Sequence, residues 1–238
     1  MIADFHSHVL PGIDDGSASV EESLAMLRME AAQGIRQVVA TPHFYPMHDS
    51  PERFLARRSR AEAMLREHMA QESGLPEIIV GAEVYFFPGI SDSEVLKQLT
   101  IEGKRFILIE MKESPWGDFA FRELENIYVK QGLVPIVAHV DRYIAPFRTH
   151  GIPERLADLP VLVQANAGFF LRRATKGMAM RMLNKGQIHL LGSDCHNLSS
   201  RPPRLGEAVD EIQKRLGNQA LERLENQGFD VLRTLNIL

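Results

Sequence analysis

Asp4-Phe5-His6-Ser7-His8 sets two imidazoles two residues apart at the end of a short apolar run. On an extended strand alternate side chains share a face, so His6 and His8 can converge on one point. Two imidazoles meeting there suit a borderline divalent metal. A lone pair of this kind would carry little weight, but the pattern recurs. Ala40-Thr41-Pro42-His43, Gly81-Ala82-Glu83, Ile109-Glu110, Ala138-His139 and Gly192-Ser193-Asp194-Cys195-His196 each close an apolar run. Together the ends supply His6, His8, His43, His139, His196, Glu83, Glu110 and Asp194, with no lysine or arginine among them. Residues that only solvate strand ends would include both signs of charge.

Five imidazoles and three carboxylates exceed the roughly four donors that one zinc-type ion takes. The set therefore implies two or three ions, with carboxylates bridging them. Asp14 and Asp15, in Gly12-Ile13-Asp14-Asp15-Gly16, could add a ligand, although a turn or a helix N-cap would use them equally well. Imidazole and carboxylate without thiolate suit Mn, Fe, Zn or Co alike. Clustered ions lower the pKa of a bound water and clamp both oxygens of an in-line displacement, which suits phosphate esters. Arg142 follows His139 by three residues and Arg201 follows His196 by five. Each could grip phosphate oxygens bidentately; a surface ion pair is the plainer alternative. His48, His68, His150 and His189 lie off the strand ends and read as structural or solvated.

The elements that must position these residues are legible as an alternation. Strand-length apolar runs lie at Met1–Phe5, Gln37–Ala40, Ile78–Val80, Phe106–Ile109, Val134–Ala138, Val161–Val163 and Ile188–Leu191. Helical patterns lie between them at Glu21–Gln33, Pro51–Glu72, Phe119–Gln131 and Thr175–Lys185, each followed by a glycine stop within two residues, and two or three helices follow from Leu205. Continuous Val/Ile/Leu runs indicate strands buried on both faces, hence a parallel sheet covered by helices. Seven such units favour a closed barrel over an open doubly wound sheet. In a parallel barrel the strand ends that carry the ligand set crowd onto one face. No glycine-rich nucleotide loop follows the first strand.

Composition excludes several classes. The chain has 238 residues, 45% hydrophobic and 24% charged, with a formal net charge of −4. A single domain over 1–238 is expected. No basic tract suits a nucleic-acid backbone. No signal peptide and no membrane span are expected, and one cysteine, Cys195, fits a reducing cytoplasm. Oligomeric state is left open.

With these residues assembled, the chain resembles the PHP (polymerase and histidinol phosphatase) superfamily, and within it the bacterial capsule and exopolysaccharide tyrosine phosphatases. The residues that carry the likeness are His6-Ser7-His8, Asp14-Asp15-Gly16, Thr41-Pro42-His43, Gly81-Ala82-Glu83, Glu110, His139 with Arg142, and Ser193-Asp194-Cys195-His196-Asn197-Leu198 with Arg201-Pro202-Pro203. The resemblance implies a distorted seven-stranded (β/α) TIM-like barrel and three divalent ions, often manganese. It implies that His6, His8, Glu83 and Asp194 hold the first ion, and Glu83, Glu110 and His139 the second. Asp15 or Asp14, His43 and His196 would hold the third, and Arg142 and Arg201 the substrate phosphate. The implied substrate is phosphotyrosine on the tail of a bacterial tyrosine autokinase that controls polysaccharide synthesis. The resemblance also implies proline and glutamate where this chain has Val140-Asp141, a departure that bears on how Arg142 is presented.

Rival readings attach to specific features. Cys195 to Arg201 spells Cys-x5-Arg, the spacing of cysteine-based tyrosine phosphatases, in which a thiolate attacks phosphorus. The intervening residues contain no glycine, and alternation turns Cys195 away from its ligand-type neighbours. A small-molecule phosphatase acting on histidinol phosphate would use the same ligand set, and a regulatory module docked on a kinase would not need it. Phe44, Tyr45, Phe86, Phe87 and Trp116 follow strand ends and are candidates for an apolar rim around a tyrosine ring, or for core packing.

Overall fold

The apolar runs bury on both faces: every residue of Asp4–Ser7 and of Phe106–Glu110 is inside. The structure is a computed structural model and describes residues 2–144 and 151–233; Met1, expected in the first strand, and His150 lie outside them. Its strands are Asp4–Ser7 (β1), Gln37–Ala40 (β2), His43–Phe44 (β3), Glu77–Val80 (β4), Glu83–Tyr85 (β5), Phe106–Glu110 (β6), Val134–Val137 (β7), Leu162–Asn166 (β8) and Leu190–Gly192 (β9). The helices are Val20–Ala32 (α1), Pro51–Met69 (α2), Leu96–Leu99 (α3), Asp118–Gln131 (α4), Asp141–Ile144 (α5), Ile152–Ala157 (α6), Ala167–Leu171 (α7), Lys176–Asn184 (α8), Leu205–Leu216 (α9) and Asn218–Arg233 (α10). Local chemistry sets the long ones. Ser19 and Ser50 cap α1 and α2 by accepting from the amides of Glu22 and Arg53, and Pro51 opens α2 where its missing N–H costs nothing. Gly132 ends α4 in the left-handed conformation, at φ 69°.

All strand pairs are parallel. They run β1-β2-β4 in one sheet and β3-β5-β6-β7-β8-β9 in the other. The two sheets are linked along the chain, because β3 and β5 resume β2 and β4 after short breaks at Thr41-Pro42 and Gly81-Ala82. Pro42 has no N–H to give a ladder, but its carbonyl accepts from Glu83 N (3.0 Å). At the far edge β9 comes back to β1 through His8 N to Cys195 O (2.9 Å) and Asp194 N to His6 O (2.7 Å). The result is a mixed α/β fold whose parallel sheet curls into a half-barrel.

Alternate strand residues line the inside of the curl. Ala3, Phe5, Val39, Ile79, Phe106, Leu108, Val134, Ile136 and Leu190 form a cluster of their own, joined by Val231 and Leu232 of α10. Gly228 of α10 lies so close to Phe5 that a Cβ there would sit 2.9 Å from its ring. Phe106, Val134 and Leu190 open their strands, while Glu110 closes β6 and His139, Asp194 and His196 follow the ends of β7 and β9. The packed interior thus fixes the level at which the strand ends emerge. No helix among the described residues is long and apolar enough to cross a membrane.

Candidate metal centre

His6 lies in β1, His43 begins β3, Glu83 begins β5, Glu110 ends β6, and His139, Asp194 and His196 lie just beyond β7 and β9. The breaks before β3 and β5 re-aim two strands, so that His43 and Glu83 pair in register. His139 (φ 29°) and Asp194 (φ 53°) hold left-handed backbone, which with Glu102 makes three non-glycine residues with positive φ among those described. Two of the three thus fall on candidate ligands. Such conformations persist where the surroundings impose them.

Glu83 is the hub. Its Oε2 lies 3.0 Å from His43 Nδ1, 3.1 Å from His6 Nε2 and 3.4 Å from His8 Nε2, and its Oε1 is 2.9 Å from His139 Nε2. Glu110 stands 3.6 Å from His139 and 3.7 Å from His43. Asp194 Oδ1 is 3.6 Å from both His6 and His8. His43 and His196 each lie 3.5 Å from Asp15. Among the described residues four sets have donor atoms close enough to share one ion, and three of them are made of the strand-end residues with Asp15: His6, His8 and Asp194; His8, Asp15, His43 and His196; and His43, Glu83 and Glu110. The fourth is the buried Asp4, Glu30 and Cys195.

The outward nitrogens decide which way the lone pairs point. His6 Nδ1 is 3.2 Å from Gln164 Oε1, an oxygen that also accepts from His139 N. His8 Nδ1 is 2.8 Å from Asp14 Oδ2, and His196 Nδ1 is 3.1 Å from the Asp194 carbonyl. These partners only accept, so the proton sits on Nδ1 and each Nε2 lone pair faces inward. His6 Nε2 and His8 Nε2 are then 3.1 Å apart, a contact that repels unless a cation or a proton lies between them. His43 Nδ1, Glu83 Oε2, Glu110 Oε2, His139 Nδ1 and His196 Nε2 are all buried without a hydrogen bond. Buried orphan acceptors of these types at one spot are what a metal centre leaves when only protein atoms are counted.

The electrostatics agree. Burial opposes charge on His8, but Asp14 and Glu83 outweigh it and raise its pKa to about 10. Burial likewise opposes charge on His139, and Glu110 with Glu83 raises it to about 9. Burial would push Glu83 and Asp194 up, yet neighbouring imidazoles, and Arg142 for Asp194, hold both well below the usual carboxylate range. His196 is lowered to about 4 by burial and by His8. The cluster is built to hold positive charge, as protons or as ions that compete with them.

Asp14 and Asp15 divide the work. Asp14 Oδ2 also accepts from His43 N (3.0 Å) and Oδ1 from Gly16 N (3.0 Å), so both oxygens are engaged in orienting His8 and the loop. Asp15 is exposed and faces His43 and His196. Arg142 Nη2 lies 2.5 Å from Asp194 Oδ2, and Arg201 Nη2 lies 2.7 Å from Oδ1. At Val140-Asp141, Val140 N bonds the Gln164 carbonyl and Asp141 accepts from Asn166 N, and Arg142 N bonds the His139 carbonyl (2.9 Å). The sequence reasoning missed Gln164 and Asn166. Gln164 donates to Asn166 Oδ1 (3.0 Å), and Asn166 donates to Asp194 Oδ2 (2.8 Å), tying His6 to Asp194 through β8. Amides carry no ligand signature, and the apolar run of this strand stops before them.

The structure separates the alternatives left open for two groups of neighbouring residues. Phe44 and Phe86 are buried in the core rather than at a rim, and Trp116 packs on Phe121 and Tyr143. The aromatic flank of the site is instead Tyr45, stacked on His43 at 5.0 Å, with Tyr85 beside it. The Cys-x5-Arg alternative fails on geometry. Cys195 is fully buried, and burial with the negative charge of Glu30 and Asp4 pushes its thiol well above the ordinary range. The loop amides of Ser199, Ser200 and Arg201 all donate to Asn197 Oδ1, at 3.0, 2.8 and 3.1 Å, leaving none of the three for an anion. A Cys195→Ser variant is expected to keep phosphate release within about twofold of the unsubstituted chain; an initial-rate assay checks this.

Fold and site together define a class: α/β proteins that carry a histidine–carboxylate metal centre on the C-terminal rim of a curled parallel sheet. Residues 2–230 match the family model described as capsular polysaccharide synthesis, CpsB/CapC. The chain belongs to that family. It is 30% identical to the tyrosine-protein phosphatase CpsB of Streptococcus agalactiae serotype V, over 93% of each chain. It is 26% identical to the tyrosine-protein phosphatase YwqE of Bacillus subtilis, over 98% of this chain and 92% of that one. A crystal structure described under YwqE from Bacillus subtilis and CpsB from Streptococcus pneumoniae, as unique metal-dependent tyrosine phosphatases, superposes with a TM-score of 0.86 at 25% identity, covering 100% and 96% of the two chains.

Proposed function

We propose that this chain is a metal-dependent protein-tyrosine phosphatase that takes phosphate from the tail of a bacterial tyrosine autokinase and so regulates capsule or exopolysaccharide synthesis. The observation that carries the reading is the buried imidazole–carboxylate cluster with two arginines poised on Asp194 at its edge. Named tyrosine phosphatases among its relatives support it. The same reading makes the two sheets one distorted seven-stranded (β/α) barrel of PHP type, in a single domain over 1–238, acting in the cytoplasm.

The ligand sets fit three divalent ions, with manganese favoured over Fe, Zn or Co. His6, His8 and Asp194 with Glu83 would hold one; Glu83, Glu110 and His139 with His43 a second; Asp15, His43 and His196 with His8 a third. Bound ions would supply Lewis acidity and a water acidic enough to ionise near neutral pH. The protein's own groups supply the rest. Arg142 and Arg201 turn from Asp194 to the phosphate oxygens and stabilise charge as it spreads over them. Gln164 and Asp14 keep His6 and His8 in the tautomer that faces the ions. Tyr45 and Tyr85 offer a flank for the phenyl ring. The leaving phenol has a pKa of about 10, so no strong general acid is needed.

The test is phosphate release with Mn²⁺ supplied, comparing a phosphotyrosyl peptide with histidinol phosphate. A kcat/KM at least about tenfold higher on the peptide is expected, as is a rise of about ten- to hundredfold in KM for Arg201→Ala, which removes a charged hydrogen-bond donor. Preference for histidinol phosphate would move the assignment to a small-molecule phosphatase.

A further inference from the structure

Beside the metal centre lies a cavity of about 500 Å³ whose lining includes Arg142, Arg201, Arg172, Arg204, Asp141 and Asp194. Its four guanidiniums are not equivalent. Arg142 and Arg201 rest on the two oxygens of Asp194. Arg204 is held bidentately by Glu207, at 2.7 and 2.6 Å. Asp141 is buried and accepts from Asn166 N. Arg172, just past α7, is exposed, and its guanidinium lies over Gly168, 3.5 Å from where a Cβ would stand. No acidic partner reaches it among the described residues.

The cavity therefore runs from the two arginines on Asp194, which the reading above turns to the phosphate, to one that meets no acidic side chain among the described residues. We propose that Arg172 forms a second anion subsite, which takes a carboxylate or a second phosphate carried by the same peptide as the scissile phosphotyrosine. This rests on the phosphatase reading above and makes Arg172 a specificity-determining residue for it. The donor is a planar fork suited to both anions, and nothing built into the cavity competes for it.

The experiment uses the metal-loaded full chain and a phosphotyrosyl peptide with otherwise uncharged neighbours. A single glutamate, or a second phosphotyrosine, is walked through the flanking positions. At one or more positions kcat/KM is expected to rise about fivefold for an ion pair of this exposure, mainly through KM. Comparing the two side chains tells carboxylate from phosphate. Arg172→Ala should erase the gain while leaving the uncharged peptide unaffected. Arg172→Glu should transfer the preference to a peptide with lysine at that position, and Arg173→Ala, outside the cavity lining, should keep the wild-type pattern. An Arg172→Ala loss equal on all peptides, or a wild-type enzyme indifferent to flanking charge, would overturn the subsite and leave the phosphatase reading standing. Failure of the wild type to release phosphate from any of these peptides, with metal present, would overturn the phosphatase reading itself.

Discussion

Glu83→Gln is expected to strip the centre of most of its metal and to cut phosphate release from a phosphotyrosyl peptide by about three orders of magnitude. Chelation of the unsubstituted protein should do the same, and added Mn²⁺ should reverse it. The reason is the position of one carboxylate: Glu83 lies within 3.4 Å of His6, His8, His43 and His139 and is 1% exposed. An amide there keeps the shape but loses the charge, and it turns an N–H donor toward lone pairs that need a cation. The imidazoles themselves remain fixed by Gln164, Asp14 and the Asp194 carbonyl, so the fold should survive. Metal content by elemental analysis, kcat and far-ultraviolet circular dichroism on one preparation separate the outcomes. Retained activity with retained metal would mean that Glu83 only neutralises histidines and that the ligand sets are misassigned. Lost helical signal would mean that the residue holds the fold rather than the ions.

The reach of the sequence over this site follows from chemistry. Ligand side chains differ in type from the apolar runs they close, so His6, His43, Glu83, Glu110, His139 and Asp194 stand out where each run stops. The strands themselves were legible because parallel strands buried on both faces have no alternation to blur them. Three things were not legible. Gln164 and Asn166 orient His6 and Asp194 from β8, but amides are ordinary residues at any strand end. Asp14 and Asp15 have the same side chain, and only the fold turns one toward His8 and the other toward His43 and His196. The aromatic flank was left open between rim and core packing, and Tyr85 was not among its candidates. Phe44 and Phe86 fall on the core side, and Tyr45 and Tyr85 on the open side. The two-residue breaks keep the alternation in phase: Val38, Ala40 and Phe44, and Ile78, Val80, Ala82, Val84 and Phe86, all belong to the main core, while Val39 and Ile79 lie in the other cluster, on the parity of His43, Tyr45, Glu83 and Tyr85.

Gly192→Ala tests whether the centre depends on the seam at which β9 returns to β1. A Cβ at Gly192 would lie 2.5 Å from His6 Cβ, 2.7 Å from Gln164 Nε2 and 3.1 Å from His6 N. His6 Cβ cannot give way without carrying β1 with it, and Gln164 cannot swing aside without releasing His6 Nδ1 and His139 N. The methyl group must therefore widen the seam. Overpacking of this kind costs about 1–3 kcal/mol, and a shift of about 1 Å in one ligand costs roughly a hundredfold in rate. The expected variant folds with a lowered melting temperature, binds metal more weakly, and loses about two orders of magnitude in kcat. Gly177→Ala, in α8 with only the flexible end of Arg181 at 3.5 Å, serves as a control and should leave activity unchanged. If Gly192→Ala lowered stability but not kcat, the ligands would be adjustable and β1 would not position them. If instead both fell while excess Mn²⁺ restored kcat, the damage would lie in metal affinity, and the ions themselves would be able to pull His6 back into place against the strain.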